Sequence, residues 1–319
     1  EIDNITLDIL SNRLKKVVSP LDILKWLSNF KPSEVELAID IISKMTVYTT
    51  YEIEEILDKS FQSLFPNIKK NERIIVNSVG DFGKSGSMIT YFFQKTSFYK
   101  NKKNQSKTHL LASIDKFSVE PRKEYTLILL DDFIGSGKTI EKYYIEHIKP
   151  VESNFKHIYF IGIAGMEIGH KRISPLFTRI IIPQSNIFKK AFSSDGSYFG
   201  YRNYLEYREL CYSYGKKLTQ ETITKTGKSK YDDALGFENS QSLVSFGYGS
   251  PNNTLSIIWA NKDGWFPLIP RYSSDKMAIA KNIRKDILYE LSLLKEFGSD
   301  RIKDSFFSFK IKKGKREFS

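Results

Sequence analysis

The run "LILLDDFIGSGKT", Leu127 to Thr139, carries the residue types and spacing most suggestive of chemistry. Four apolar residues lead into two adjacent acids, Asp131 and Asp132. Phe133 and Ile134 follow, and then a glycine-bearing turn, Gly135-Ser136-Gly137-Lys138-Thr139. The GSGKT ending is shared with nucleoside-triphosphate P-loops, G-x-x-x-x-G-K-[ST]. Counting back from Gly137, the first glycine of that motif would stand at the position of Asp132. A carboxylate there would face bound phosphates with the wrong sign, so the P-loop reading fails.

A different ligand uses every residue of the run. Small residues after a buried strand let backbone N–H groups converge on a phosphate at a helix start. Ser136 and Thr139 add hydroxyl donors, and Lys138 adds a cation. Asp131 and Asp132 stand about one sugar's width away, suited to accept hydrogen bonds from ribose hydroxyls and to hold a hydrated Mg2+ through water. A phosphorylated ribose satisfies the whole loop. Two adjacent acids can also cap a solvated strand end, and Gly135 to Thr139 can serve as a structural turn. A second glycine-bearing turn, Gly83-Lys84-Ser85-Gly86, lies upstream in "IIVNSVGDFGKSGSMITYFF". It reads either as a second phosphate loop before a helix or as an ordinary tight turn. Asn252, Asn253, Thr254 and Trp259 could line a pocket for the acceptor or base. An Asn pair after Pro251 is equally a turn, and a tryptophan is equally a core residue.

The elements that must position these residues change character along the chain. Up to residue 70 the patterns are helical. Ser19-Pro20 and Asp22 mark one start, while Ser33/Glu36 and Thr49/Glu52 have capping-box spacing. Residues 71–185 alternate short apolar runs with helical segments. The expected strands are "RIIVNS", "THLLAS", "YTLILLDD", "HIYFIGIAG" and "TRIIIP", and the expected crossover helices are "MITYFFQKT" and "TIEKYYIEHIK". Near-continuous apolar runs suit a parallel sheet covered on both faces, where ligands bind at the carboxyl ends of strands. Residues 186–319 read as a mixed extension. It holds a Tyr-rich helix in "YFGYRNYLEYRELCYSYGKKL", a polar loop, one or two strands, the helix "DKMAIAKNIRKDILYELSLLKEF" and a basic tail. The expected division is a helical N-terminal unit (1–70) packed on an α/β core (71–185), with a C-terminal hood or partner-binding region (186–319).

Composition bounds the rest. Cys211 is the sole cysteine and four histidines are scattered, which excludes a disulfide framework and a cysteine-based metal site. No apolar run approaches the roughly 20 residues of a membrane span, so no membrane role is expected. No basic-then-apolar leader pattern opens the sequence, and a reducing cytoplasm is the expected compartment. The net charge of +12 is uneven: Lys95–Lys123 carries 8 basic residues against 2 acidic, and Arg301–Ser319 carries 7 against 2. Such segments attract nucleotide phosphates, a nucleic-acid backbone or an acidic partner.

The run from Leu127 to Thr139 resembles the phosphoribosyl pyrophosphate motif of type I phosphoribosyltransferases: apolar strand, two acids, two apolar residues, then x-T-G-x-T. Ser136 stands where Thr is usual, and Lys138 fills a slot often held by a small residue. The resemblance implies that Gly83-Lys84-Ser85-Gly86 is the pyrophosphate loop, enlarged by Asp81 and Phe82, and that residues 113–124 form a mobile closing loop. "ALGFENSQSLVSFGYGSPNNTLSIIW", with "ILKWLSNF" and "VYTTYEIEEIL", resembles more narrowly the PRTase-CE group of bacterial conflict and anti-phage loci, some beside retrons. It implies a type I phosphoribosyltransferase-like α/β fold and an Mg2+-dependent glycosyltransferase. The substrate would be phosphoribosyl pyrophosphate or a nucleotide, attacked at the ribose anomeric carbon. It also implies a defence effector, with a reverse transcriptase and its RNA–DNA hybrid as partners. The alternative is a non-catalytic ribose-phosphate or nucleotide sensor, or a nucleic-acid-binding or scaffold component of a defence complex.

Overall fold

The computed structural model describes the chain apart from residues 1–2, 81–84, 112, 115–116, 118, 120–122, 196–197, 220–221, 224–228, 231–232 and 272–319. The expected helix in 275–297, the basic tail, Gly83, Lys84 and much of the expected closing loop therefore lie outside the described residues. The helices α1 (Asn4–Arg13), α2 (Pro20–Leu27) and α3 (Val35–Ser43) open the fold, followed by strand β1 (Thr46–Tyr48) and helix α4 (Thr50–Leu64). Ser19 caps α2 by accepting from the Asp22 N–H at 3.1 Å, with Pro20 at the first helical position. Thr49 and Glu52 form the expected capping box of α4, at 3.3 and 2.9 Å. The box expected at Ser33 and Glu36 does not start α3. Pro32 opens a short 3-10 turn instead, and Glu34 reaches back to the Lys31 N–H at 3.0 Å.

The central sheet begins with β2 (Glu72–Ser78). Helices α5 (Ser85–Lys95), α6 (Ser97–Lys100) and α7 (Lys102–Gln105) lead to β3 (Thr108–Leu110), and then comes the long β4 (Glu124–Ile134). Helix α8 (Lys138–Tyr143) runs on into a π turn and a 3-10 turn before β5 (His157–Met166). Helix α9 (Glu167–Ile173), β6 (Arg179–Ile181) and β7 (Ile187–Phe188) complete the core. The order is β3-β2-β4-β5-β6, every pairing is parallel, and β7 also pairs with β5. All five expected strands and both crossover helices are present, in an α/β fold with a parallel central sheet.

The chain first crosses leftward, from β2 to β3, and then rightward to β4. The direction reverses between β2 and β4, which opens a crevice at their carboxyl ends. The register sharpens it. Pairing of β2 with β4 ends at Ser78 opposite Leu130, whereas β5 follows β4 to Gly165 opposite Ile134. Asp131 and Asp132 are thus the first residues of β4 beyond its neighbour β2.

Beyond the sheet lie α10 (Gly200–Leu218), the two-residue strands β8 (Thr222–Ile223) and β9 (Ser229–Lys230), β10 (Val244–Phe246) and α11 (Ser256–Trp259). The antiparallel pair β8–β9 falls in the segment expected to be loop. β10 pairs in parallel with β1, Tyr48 opposite Phe246. One hydrophobic core unites α1–α3 with α10, α11 and Trp265. Trp26 donates its indole N–H to the Ile257 carbonyl at 2.7 Å. A second core joins α4, α5 and β10 on one sheet face, and a third lies on the other. Glu1–Arg271 is one compact unit. Among the described residues no helix is long and apolar enough to cross a membrane.

Candidate functional site at the end of strand β4

The alternation that buries Leu127 and Leu129 on one face and Ile128 and Leu130 on the other delivers Asp131 and Asp132 to the crevice. Asp132 is buried and Asp131 half-buried. Asp131 Oδ1 accepts the Asp132 N–H at 2.9 Å, and the Tyr248 hydroxyl donates to Asp132 Oδ2 at 2.8 Å. Removal from water raises the pKa of both carboxyls. The neighbouring charge of Asp132 pushes Asp131 up further, while the hydrogen bond from Tyr248 offsets part of the rise at Asp132. The Tyr248 phenol is itself driven well above its ordinary value, by withdrawal from water and then by the Asp132 charge. Phe246 stacks on Tyr248 at 5.3 Å and Phe92 at 5.7 Å, fixing the ring.

The turn after β4 is held from both sides. Gly137 caps α8 with φ +79°. A Cβ on Gly135 would stand 2.1 Å from Asn253 Nδ2, and one on Gly169 of α9 would stand 2.1 Å from the Gly135 carbonyl. The turn is therefore pressed between α9 and the Asn253 side chain. Lys138 and Thr139 are exposed, and the Lys138 ammonium pairs with the Glu238 carboxylate. Water withdrawal acts to raise the Glu238 carboxyl, but hydrogen bonds from Lys138 and Ser136 outweigh it and hold the group below its ordinary range.

A family model, PRTase-CE, matches residues 23–271. The chain belongs to the PRTase-CE family. No curated protein matches it. Solved structures similar to this PRTase-CE chain include orotate phosphoribosyltransferase from Aeropyrum pernix, at 11% identity and TM-score 0.28 over 41% of this chain and 66% of that one, just under two thirds of its length. Others are the xanthine-guanine-hypoxanthine phosphoribosyltransferase of Helicobacter pylori and the hypoxanthine phosphoribosyl transferase of Trypanosoma cruzi. The first has 9% identity, TM-score 0.27, and coverage of 46% and 91%. The second has 10% identity, TM-score 0.29, and coverage of 49% and 86%.

In this PRTase-CE chain Asp131, Asp132 and the residues from Gly135 to Thr139 converge at the crevice. Ser85 and Gly86 open α5, while Gly83 and Lys84 lie outside the described residues. Of the four residues considered for an acceptor pocket, Asn253 packs on the Gly135 turn. Asn252 is half-buried and accepts the Phe237 N–H on its carbonyl at 2.8 Å. Thr254 is fully buried and donates to the Val244 carbonyl, and Trp259 donates to the Thr254 carbonyl at 2.8 Å. Two residues at the crevice escaped sequence reasoning, Tyr248 and Glu238. Their partners stand more than a hundred residues earlier for Tyr248 and a hundred for Glu238, and no local spacing signals either contact. Among the described residues no group of three or more His, Cys, Asp or Glu side chains could enclose a metal. Two neighbouring acids suit an ion that keeps most of its water.

Proposed function

We propose that this chain is a phosphoribosyltransferase-like, Mg2+-dependent enzyme acting at the anomeric carbon of phosphoribosyl pyrophosphate or a nucleotide. The observation that carries the reading is the acid pair and glycine turn brought together where the sheet reverses direction. Backbone N–H groups from Gly135 to Thr139, with Ser136, Thr139 and Lys138, hold the terminal ribose phosphate. Asp131 and Asp132 accept hydrogen bonds from the ribose hydroxyls and fix the ring. The bond from the anomeric carbon to the leaving pyrophosphate or base breaks with its electron pair, leaving oxocarbenium-like positive charge. An acceptor then donates its electron pair to the same carbon. Positioning and the field of the buried acids supply the catalysis, so no histidine base is required. Mg2+, held through water by Asp131 and Asp132, would neutralise pyrophosphate charge. The wider reading is an anti-phage effector that depletes or modifies nucleotides, in a retron-type assembly with a reverse transcriptase and RNA–DNA hybrid. The net charge of +12 supports the nucleic-acid part.

The Glu238–Lys138 pair favours a second reading, a ribose-phosphate sensor without turnover, because it fills the phosphate turn with the protein's own carboxylate. One assay separates the two. The full chain with Mg2+ and phosphoribosyl pyrophosphate, with and without nucleotides, is expected to release pyrophosphate or alter a nucleotide. The double variant Asp131→Asn/Asp132→Asn is expected to lose that activity while keeping a sharp unfolding transition. Calorimetric binding with no turnover, partners included, would leave the sensor.

A further inference from the structure

We propose that Glu238 is a built-in occupant of the phosphate turn, an internal carboxylate that the terminal phosphate of an incoming ribose phosphate must displace. The inference rests on reading Gly135 to Thr139 as the phosphate turn. Glu238 takes the Lys138 ammonium, and the Ser136 hydroxyl acts on the same carboxylate; these are the two side-chain donors at the centre of that turn. The positive field of Arg172 on α9 reaches the same carboxylate. A phosphate placed there would meet a like charge at contact distance, so the two anions exclude each other.

The backbone that presents Glu238 is strained. Glu238, Asn239 and Gln241 have φ of +53°, +56° and +53°. Left-handed backbone is costly for residues other than glycine. Anchors away from the carboxylate hold the segment in place. The Phe237 N–H donates to the Asn252 carbonyl at 2.8 Å, Ser240 Oγ to the Asn253 carbonyl at 2.7 Å, and the Gln241 N–H to the Leu235 carbonyl at 2.8 Å. Gly236 lies so close that a Cβ would stand 2.1 Å from the Asn253 carbonyl. The same Asn253 presses its amide against Gly135. The strained turn thus lies over the phosphate turn, with the Glu238 side chain reaching Lys138.

The pair is easily broken. Lys138 retains 56% of its side-chain exposure and Glu238 28%, and an ion pair that open to water contributes little. A phosphate offers nearly twice the charge and three acceptor oxygens to the same donors. Release of Glu238 removes one tie on the strained turn, whose remaining anchors lead through Asn253 and Thr254 to β10 and its partner β1.

Titration calorimetry with ribose 5-phosphate tests this on the full chain. Glu238→Gln is expected to bind about tenfold tighter than wild type once the competing charge is gone. Lys138→Met is expected to bind more weakly. Equal or weaker binding by Glu238→Gln overturns the inference, because a residue that only pins the turn would give that result together with a lower Tm. Hydrogen exchange on the wild type gives a second readout that needs no variant. Ribose 5-phosphate is expected to slow exchange in 135–141 and speed it in 236–241, and protection of both segments would overturn displacement. If neither wild type nor Glu238→Gln binds ribose 5-phosphate, the phosphate-turn reading falls and this inference falls with it. If wild type binds and Glu238→Gln gains nothing, only the inference falls.

Discussion

At the scale of the residue, the acid pair is a local loss of stability. Asp131 loses contact with water and faces the charge of Asp132, and both effects raise its pKa above the ordinary 3.8. The unfolded chain releases that proton near its ordinary value, while the folded chain keeps it to higher pH. The folded state therefore binds more protons across that window, and its stability falls as pH rises from the unfolded value through the folded one. Asp131→Asn removes the ionisation and keeps the shape. It is expected to unfold at a higher temperature than wild type at pH 8, by an amount worth about 1 kcal/mol, modest because the burial of Asp131 is partial. The two proteins should converge toward pH 4. A Tm for Asp131→Asn below that of wild type at pH 8 would mean that the pair is structural rather than a site held ready for a ligand. Tyr248 limits the cost on the Asp132 side by donating to its carboxylate.

At the scale of the element, the turn between β4 and α8 depends on two close approaches and one left-handed residue. Gly169→Ala on α9 would drive a methyl to 2.1 Å from the Gly135 carbonyl, and backbone cannot yield as a flexible side chain can. The expected result is a loss of about 2–3 kcal/mol in urea unfolding and weaker phosphate binding, since the displaced carbonyl belongs to the turn itself. Unchanged stability would refute the packing of α9 on this turn. Much of this architecture was legible in the sequence because it is local. The apolar run from Leu127 to Leu130 marked β4, the substitution of Asp132 for a glycine excluded a P-loop, and Thr49 with Glu52 marked the start of α4. What stayed hidden was set by distant partners. Thr46–Tyr48 is too short and too close to helices to declare itself a strand, and only β10 makes it one. The helix after Gly137 was legible, but its change to π and 3-10 winding was not. Pro150, which has no N–H to donate, lies at the start of the 3-10 stretch that follows the π winding.

At the scale of the whole molecule, residues on either side of the 71–185 segment, up to Arg271, complete its packing. The third core, from Ile75 to Phe177, is built wholly from residues within 71–185, so one face of the sheet is complete within that segment. The opposite face is not. Ile74, Val76, Ile128, Leu130 and Ile161 share a core with Ile89, Phe92 and Phe93 of α5, with Ile53, Leu57 and Phe61 of α4 and with Phe246 of β10, and α4 and β10 lie outside the segment. Phe61 stacks on Phe93 at 4.1 Å. Each of the large α4 side chains contributes roughly 1.5–3 kcal/mol by burial, several kcal/mol in sum and comparable to the net stability of a small domain. A separately expressed 71–185 segment would present that apolar face to water and would also lack Tyr248, Asn253 and Glu238 from the crevice. It is expected to bind a hydrophobic dye, to melt over a broad range without a cooperative transition, and to bind ribose 5-phosphate at least tenfold more weakly than the full chain. A sharp calorimetric transition without dye binding would show instead that the α/β segment is an independent domain, with α4 and β10 added to a core already able to stand alone.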